Sequence, residues 1–305
     1  ALSGWILRRG APAEVVVLGV VALATLGFAA AEPAPDVLFR TQTLYASVQV
    51  TEREWADGRV VRELWQNGGS SSAEYVETGD PAHAYADVSG LLLEPIVHRV
   101  DRMLVLGGAA LSLPVAFSRW RPEMEIDVVE IDPAVTEVAR RYFAYGEAPY
   151  PGISVIHDDA RVFLRGSDER WDVIYLDVFD HFLTVPWTVV TREALMEMDA
   201  HLEPGGLLMA NILTPLGGPG VGFLQRLLST AGEVFGEVRV YPTESVASPL
   251  AVQNVILVAA RRAEDLPEVE RVPVDVLPAG RPLTDAWAPV EYLQGKVFWE
   301  GIRWN

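Results

Sequence analysis

The chain has 305 residues, a formal net charge of −18 and no cysteine. Such a negative charge argues against nucleic-acid binding, because phosphates require a basic surface. The absence of cysteine excludes disulfides, thiolate nucleophiles and zinc–sulfur sites. The five histidines show no metal-ligand spacing, so no catalytic metal is expected.

The first predicted element is an uncharged apolar run, residues 15–31, within an N-terminal segment 1–32. A signal peptide, a buried helix and a membrane anchor all fit this pattern. We favour a transmembrane helix over residues 13–31, because the run is apolar on all sides and just long enough for a bilayer. Arg8 and Arg9 precede it, so the N-terminus is expected in the cytoplasm and the large domain in the periplasm. The segment therefore predicts a single-pass membrane protein that contacts lipid.

Residues 33–80 are predicted to form a small antiparallel β unit. After a Pro-rich linker, the β-rich runs LYASVQVTERE and RVVRELWQ flank Asp57-Gly58, a dipeptide that favours a hairpin turn. Residues 81–98 then carry apolar side chains at helical spacing. We therefore expect a hairpin-based sheet followed by a helix.

Residues 81–262 alternate between strand-like and helix-like patterns, which is typical of a parallel sheet with crossover helices. The strand-like runs are MLVLG, IDVVEID, ISVIHDD, WDVIYLDVF, GLLMANIL, EVRVYP and NVILVAA. Asp132 and Pro133 predict the start of one helix. The predicted fold class is α/β, with a doubly wound, mostly parallel sheet of the S-adenosylmethionine-methyltransferase-like type. Residues 263–305 are predicted to be an irregular C-terminal tail.

Candidate ligand-binding residues lie at the carboxyl ends of these predicted strands, where doubly wound sheets bind their ligands. Gly107-Gly108 follow the first strand and Glu130 ends the second. Asp159 follows the third strand and Asp177 the fourth. Each acid could instead cap the next helix. Acids at several strand ends in register nevertheless favour a shared cleft, in which Glu130 can accept both hydroxyls of a ribose.

The order of these motifs resembles the spermidine synthase (polyamine aminopropyltransferase) family. The most specific pieces are VVEIDPAV and HDDARVFL, and the resemblance extends from Leu38 to Leu293. The run PLTDAWAPVEYL near the C-terminus is similar to the terminal motif of the membrane-associated branch of the family. The chain is therefore identified as a member of that branch.

The resemblance implies a nucleoside site at the sheet. Glu130 would bind the ribose of decarboxylated S-adenosylmethionine or methylthioadenosine. Asp159 would accept from the adenine amino group, with Ala160 beside it, and Gly107-Gly108 would form the turn against the nucleoside. No metal or further cofactor is implied, and a polyamine would be the small-molecule partner.

At the amine end of the site, the resemblance makes Asp177 the catalytic aspartate that orients or deprotonates the attacking amine. Other positions depart from the family pattern. The GGGDGG turn has Ala110 in place of its aspartate and Leu111 in place of a glycine, where a side chain is expected to fill ligand space. Ser71 replaces a substrate-binding glutamine, and only Tyr85 is left of a tyrosine-histidine pair. The amine end is therefore predicted to be eroded.

Two functions follow from these features. We predict a non-catalytic accessory or scaffold subunit with membrane-protein partners, because the amine end is eroded and a periplasmic domain meets little S-adenosyl cofactor. The alternative is an active aminopropyltransferase that transfers an aminopropyl group from decarboxylated S-adenosylmethionine to an amine. A methyltransferase shares the predicted sheet and stays open as a third interpretation.

Overall fold

The computed structural model describes residues 36–180, 184–244 and 249–301. Its strands are β1 (Asp36–Gln42), β2 (Ser47–Glu54), β3 (Val60–Gln66), β4 (Gly69–Tyr75), β5 (Arg102–Leu106), β6 (Glu125–Val129), β7 (Ile153–Ile156), β8 (Trp171–Leu176), β9 (Leu202–Thr214), β10 (Glu237–Pro242) and β11 (Gln253–Ala260). Its α-helices are α1 (Ala84–Leu93), α2 (Ser112–Trp120), α3 (Pro133–Tyr142), α4 (Ala160–Gly166), α5 (Arg192–Ala200), α6 (Gly222–Val234) and α7 (Val290–Gly301).

Two sheets organise these residues. Strands β1 to β4 form a four-stranded sheet in chain order, in which β2, β3 and β4 pair antiparallel. The second sheet has seven strands in the order β10-β11-β9-β8-β5-β6-β7. The five neighbouring strands β9, β8, β5, β6 and β7 are parallel to one another. Strands β10 and β11, at one edge of the sheet, pair antiparallel. The predicted mostly parallel sheet and the antiparallel unit before it are thus confirmed.

Local sequence signals explain how several elements begin. The β2–β3 hairpin turns at Asp57-Gly58, where Gly58 has a φ of 82°. Helix α3 begins after Asp132, whose Oδ1 accepts from the N–H of Ala134 at 3.0 Å, with Pro133 in the first turn. Both features agree with the prediction from sequence.

Both faces of the seven-stranded sheet are buried. One face packs against α5, α6 and α7, and the other packs against α1, α2 and α3. A smaller cluster, which includes Val48, Leu64, Val135 and Phe143, joins the antiparallel sheet to α3. The antiparallel sheet is therefore held beside the carboxyl ends of β5 and β6.

Two predicted segments differ from the structure. The helix expected over residues 81–98 ends at Leu93. The tail expected to be irregular, residues 263–305, contains α7, in which Val290 and Leu293 are buried. A spacing of three residues places these two side chains on one helical face. The predicted domain boundaries themselves stay predictions.

The predicted single-pass membrane localisation has to be corrected. Within the three described ranges, no helix is both long and apolar enough to cross a bilayer. The longest of them, α6, has 13 residues and is therefore about 20 Å long, against a hydrocarbon core of about 30 Å. The predicted span, residues 13–31, lies outside the described residues. The prediction was based on the apolar composition of this run, its length and the two arginines before it.

Candidate active site

A cavity of about 790 Å³ lies between the carboxyl ends of the parallel strands and the antiparallel sheet. This volume is within the usual range for small-molecule sites. All the predicted site residues line it: Gly107, Gly108, Glu130, Asp159, Ala160 and Asp177. The fold therefore brings together residues from four different strand ends.

The cavity lining is strongly acidic. Eight carboxylate residues contribute to it, and no lysine or arginine does so among the described residues. The eight are Glu130, Asp132, Asp158, Asp159, Asp177, Asp180, Glu244 and Glu291. The cavity is therefore suited to a cationic ligand.

Three residues of the turn after β5 have positive φ values, although the turn contains only two glycines. Gly107 has a φ of 95°, and a Cβ there would lie 2.8 Å from the carbonyl carbon of Asp177. Ala109 and Leu111 also have positive φ values, 43° and 61°. The Leu111 side chain is fully buried in the core and does not line the cavity. The expectation that it fills ligand space is therefore wrong.

Glu130 is 7% exposed and holds this turn in place. Its Oε2 accepts from the N–H groups of Gly108 and Ala109 at 3.0 and 2.9 Å, and its Oε1 accepts from that of Asp132 at 2.9 Å. Burial raises the pKa of Glu130, and the three N–H donors oppose the rise. Because a carboxylate occupies the N–H groups of the turn, a phosphate is disfavoured there. One lone pair of Glu130 Oε1 is left and can accept a ribose hydroxyl.

Asp159 both caps a helix and lines the cavity. Its Oδ1 accepts from the N–H groups of Arg161 and Val162 at 2.9 and 3.0 Å, which makes it the N-cap of α4. Ala160 is the first residue of α4 and lies in the lining beside it. The helix cap and the cleft, two alternatives from the sequence, are therefore compatible for this residue.

Asp177 follows β8 and accepts one side-chain hydrogen bond, from Asn211 Nδ2 to Oδ1 at 2.8 Å. The Tyr85 hydroxyl is close enough to the carboxylate to stabilise its charged form. Burial raises the pKa of Asp177 to about 6, although both side chains oppose the rise. A carboxylate that titrates close to neutral pH is suited to general base catalysis.

Two asparagines of this site were not predicted from the sequence. Asn254 Nδ2 donates to Asn211 Oδ1 at 2.9 Å, and both residues line the cavity. Asn211 is 2% exposed in the otherwise apolar run LLMANIL of β9. A buried amide needs hydrogen-bond partners, so a single polar residue within such a run is the sequence signal that marks it.

The positions where the chain departs from the family pattern lie against the antiparallel sheet. The Ser71 hydroxyl donates to the Leu64 carbonyl at 3.1 Å, and the Ala110 N–H donates to Ser72 Oγ at 3.2 Å. Ala110 is fully buried and adds no polar group to the cavity. Five aromatic residues besides Tyr85 line the cavity instead: Tyr45, Trp55, Trp65, Phe179 and Trp187.

A network from the C-terminal motif fixes one wall of the cavity, residues 185–189, of which the last four line it. Arg161 Nη1 donates to the Thr188 carbonyl at 3.0 Å and to Asp285 Oδ1 at 2.7 Å. Gln294 Oε1 accepts from the N–H of Val185, the first residue of this wall, at 3.1 Å. Asp285 belongs to PLTDAWAPVEYL and Gln294 follows it directly, so this end of the chain takes part in building the site.

Comparison with known proteins points to one family. The sequence model described as the spermine/spermidine synthase domain matches residues 89–216, a segment that contains all the predicted site residues. Over this segment the chain is similar to the spermidine synthase family. The match does not single out the membrane-associated branch, which stays a prediction.

Curated relatives in this family are similar over part of their length. The chain is 31% identical over 183 residues to the polyamine aminopropyltransferase of Vibrio vulnificus (strain CMCP6), which covers 57% of this chain and 58% of the relative. It is 28% identical over 148 residues to a probable polyamine aminopropyl transferase of Bifidobacterium longum (strain NCC 2705), which covers 48% and 32%. The chain thus matches less than two thirds of the length of either relative.

Solved structures of spermidine synthases share the fold. A probable spermidine synthase from Corynebacterium glutamicum ATCC 13032 superimposes with a TM-score of 0.63 at 21% identity, over 75% of this chain and 81% of that one. A spermidine synthase in complex with the transition-state analogue AdoDATO gives 0.59 at 17% identity, over 85% and 88%. These likenesses agree with the methyltransferase-like sheet and the antiparallel sheet before it.

Proposed function

We propose that the chain is a polyamine aminopropyltransferase, which transfers the aminopropyl group of decarboxylated S-adenosylmethionine to an amine. The observation that carries this proposal is the charge of the cavity, with eight carboxylates and no lysine or arginine in its described lining. Both substrates are cations, one a sulfonium with a primary ammonium group and the other a polyamine. A concave acidic site concentrates such substrates and steers them inward.

The donor end of the cavity suits an adenosine that carries no phosphate. Glu130 already accepts from the N–H groups of the β5 turn and places a negative charge where a phosphate would bind. Ile131, next in the chain, is 41% exposed and lines the same cavity, so it offers apolar contact to a base or ribose. These features support a nucleoside sulfonium or thioether as the ligand.

The same charge pattern favours aminopropyl transfer over methyl transfer. The methyl donor S-adenosylmethionine carries an α-carboxylate, which would be repelled by the carboxylates of this lining without a paired cation. Decarboxylated S-adenosylmethionine lacks that group and presents only positive charge. The third interpretation, a methyltransferase, is therefore less well supported.

In the proposed reaction, the neutral amine nitrogen attacks the aminopropyl carbon attached to sulfur. The new C–N bond forms as the C–S bond breaks, and sulfur takes the electron pair to give the neutral thioether methylthioadenosine. The attacking nitrogen becomes positive and loses one proton to Asp177. No metal or redox step enters this balance.

Asp177 is adapted to this proton transfer by its surroundings. With a pKa raised to about 6, it lies nearer than an ordinary aspartate to the pKa of a primary amine, which is about 10. The smaller difference makes proton transfer from the amine less unfavourable. Asn211 donates to one oxygen of the carboxylate, which leaves lone pairs on both oxygens for the amine.

The accessory-subunit prediction rested on the departures at the amine end and on the membrane location. The named relatives support the aminopropyltransferase alternative instead. The departures at Ser71 and Ala110 then bear on the choice of acceptor. With fewer polar groups there, the acceptor would be held by the other carboxylates and by contact of its methylene chain with the aromatic lining.

The test is a transfer assay with decarboxylated S-adenosylmethionine and a set of diamines and polyamines, with methylthioadenosine and the lengthened polyamine detected by mass spectrometry. We expect both products in equal amounts, and about a hundredfold or greater loss with Asp177→Asn. Asp275→Asn, an exposed aspartate in the C-terminal region, is the matched control. Absence of methylthioadenosine with every acceptor would overturn the proposal.

A further inference from the structure

We propose that Asn254 is a positioning residue, which acts through Asn211 to keep a hydrogen-bond donor directed at the catalytic candidate Asp177. This inference rests on the proposed function only for the role of Asp177. Asn254 makes its side-chain hydrogen bond to Asn211, at 2.9 Å, and Asn211 makes the next one to Asp177, at 2.8 Å. The three side chains therefore form a relay across three neighbouring strands.

Strand register explains why these residues meet. Asn254 lies opposite Leu213 in the antiparallel pair of β11 and β9, and Asn211 lies two residues away on the same face of β9. On the other side, β9 runs parallel to β8, with Ala210 opposite Leu176. The next residue of each strand, Asn211 and Asp177, are therefore neighbours.

The orientation of the Asn211 amide decides what Asp177 experiences. With Nδ2 directed at Asp177, the amide donates to the carboxylate. With the amide turned over, Oδ1 would face a carboxylate oxygen, and two acceptors would repel each other. Asn254 selects the first orientation, because its Nδ2 donor requires the Asn211 oxygen on its own side.

Asn254 is itself held firmly by the backbone. Its carbonyl accepts from the Thr243 N–H at 3.1 Å and from Thr243 Oγ1 at 2.8 Å. Its strand β11 lies between β10 and β9 and is hydrogen-bonded on both sides. These bonds fix the backbone of Asn254, and with it the point from which its side chain reaches the buried amide of Asn211.

Loss of Asn254 should make Asp177 easier to protonate. The neighbouring titratable groups are Tyr85 from α1 and Tyr175 from β8, and burial raises the pKa of both tyrosines, so they stay neutral. The other carboxylates of the cavity lining and His83 are unaltered by a substitution of Asn254, so the charges around Asp177 stay the same. A change in the titration of Asp177 after substitution at 254 therefore reports on the relay.

The test needs no enzymatic activity. The unfolding free energy is measured from pH 5 to 8.5 for the wild type and for Asp177→Asn, and the pH dependence of their difference gives the titration of Asp177. The same pair is then measured with Asn254→Ala added. We expect the titration midpoint to rise by about one pH unit, a tenfold smaller proton dissociation constant. An unchanged midpoint would overturn the proposal.

Further variants separate the relay from general packing. Asn254→Leu keeps a side chain of similar size without a donor and should raise the midpoint by the same amount as Asn254→Ala. It takes the place of the alanine variant if that variant does not fold. Gln253→Leu removes the neighbouring amide, which accepts from the Glu244 N–H, and should leave the midpoint unchanged. A shift with Gln253→Leu as large as that with Asn254→Leu would contradict a specific relay.

Kinetics supply the second measurement. In the transfer assay, Asn254→Leu should raise the pH of half-maximal kcat by about one unit and leave the KM for the donor unchanged, so that activity recovers at high pH. An equal fall in kcat at all pH values would contradict the relay. If the wild type transfers no aminopropyl group, the proposed function fails, while the titration still decides the role of Asn254.

Discussion

Asp285 and Arg161, which are 124 residues apart in the sequence, form a bidentate ion pair, with Nη1–Oδ1 at 2.7 Å and Nη2–Oδ2 at 2.8 Å. The Arg161 side chain is 7% exposed and also pairs with Glu197. Because Arg161 donates to the carbonyl of Thr188 in the cavity wall, the C-terminal motif is tied to the site through one guanidinium group.

The first prediction concerns this ion pair. Asp285→Asn removes the charge but keeps the shape, and should lower the unfolding free energy by about 1–3 kcal/mol, measured by urea denaturation at pH 7. Arg161 lowers the pKa of Asp285, so the stability from this pair is present at neutral pH and lost as the pH falls through the lowered pKa. The variant should therefore differ least from the wild type in acid.

The same charge change at an exposed site is its control. Asp275→Asn lies in the same C-terminal region, exposed to solvent, and should change stability by less than about 0.5 kcal/mol. Equal effects of the two substitutions would mean that the ion pair contributes nothing specific.

The second prediction concerns Glu74 of β4, which is buried. Its Oε1 accepts from the Ala144 N–H at 2.8 Å, and its Oε2 accepts from the Ser112 hydroxyl at 3.2 Å. Burial raises the pKa of Glu74 to about 7. From the unfolded pKa of 4.5 up to about 7, the folded state therefore holds a proton that the unfolded state has released. Stability from this group falls as the pH rises through that window.

Glu74→Gln removes this titration and keeps an acceptor for the Ala144 N–H. The variant should be more stable than the wild type at pH 8, by about 1–3 kcal/mol, and the two should converge near pH 4. Thermal unfolding across pH measures the difference. Glu77→Gln, at an exposed position three residues further along the chain, should show no such crossover. A Glu74→Gln variant that is less stable at pH 8 would contradict the assignment.

The third prediction concerns Gly107 in the turn after β5. Gly107→Ala places a methyl group against the carbonyl of Asp177, at a positive φ that alanine adopts with strain. We expect a loss of roughly 3 kcal/mol or more and loss of transfer activity, since the backbone of Asp177 must move. Gly166→Ala is the control, because a Cβ there meets nothing within 4 Å. Equal unfolding midpoints for the two variants would contradict the conclusion that residue 107 has to be glycine.

Much of the fold could be predicted from the sequence because its signals are local. Alternation of apolar runs, the Asp57-Gly58 turn and the Asp132-Pro133 helix start each depend on a few adjacent residues. The position of Glu130, Asp159 and Asp177 at strand ends followed from the same pattern together with the general rule for doubly wound sheets.

Other features depend on contacts between distant segments. The Asn254–Asn211 pair requires the register of β11 on β9, which no local pattern specifies. The Leu111 side chain points into the core and not into the cavity because of its positive φ, which the residue type does not reveal. The membrane prediction was wrong although its signals were local, namely the apolar composition of the run, its length and the arginines before it.

Every part of the functional account requires the cavity to hold an adenosine thioether, and calorimetric titration with methylthioadenosine tests this most directly. We predict binding in the micromolar range, no binding of ATP, and about tenfold weaker binding with Ile131→Ala, which removes exposed apolar surface from the lining. Val162→Ala, at an exposed apolar site outside the cavity, should bind as the wild type does. No heat with millimolar methylthioadenosine, or tight binding of ATP, would contradict the account.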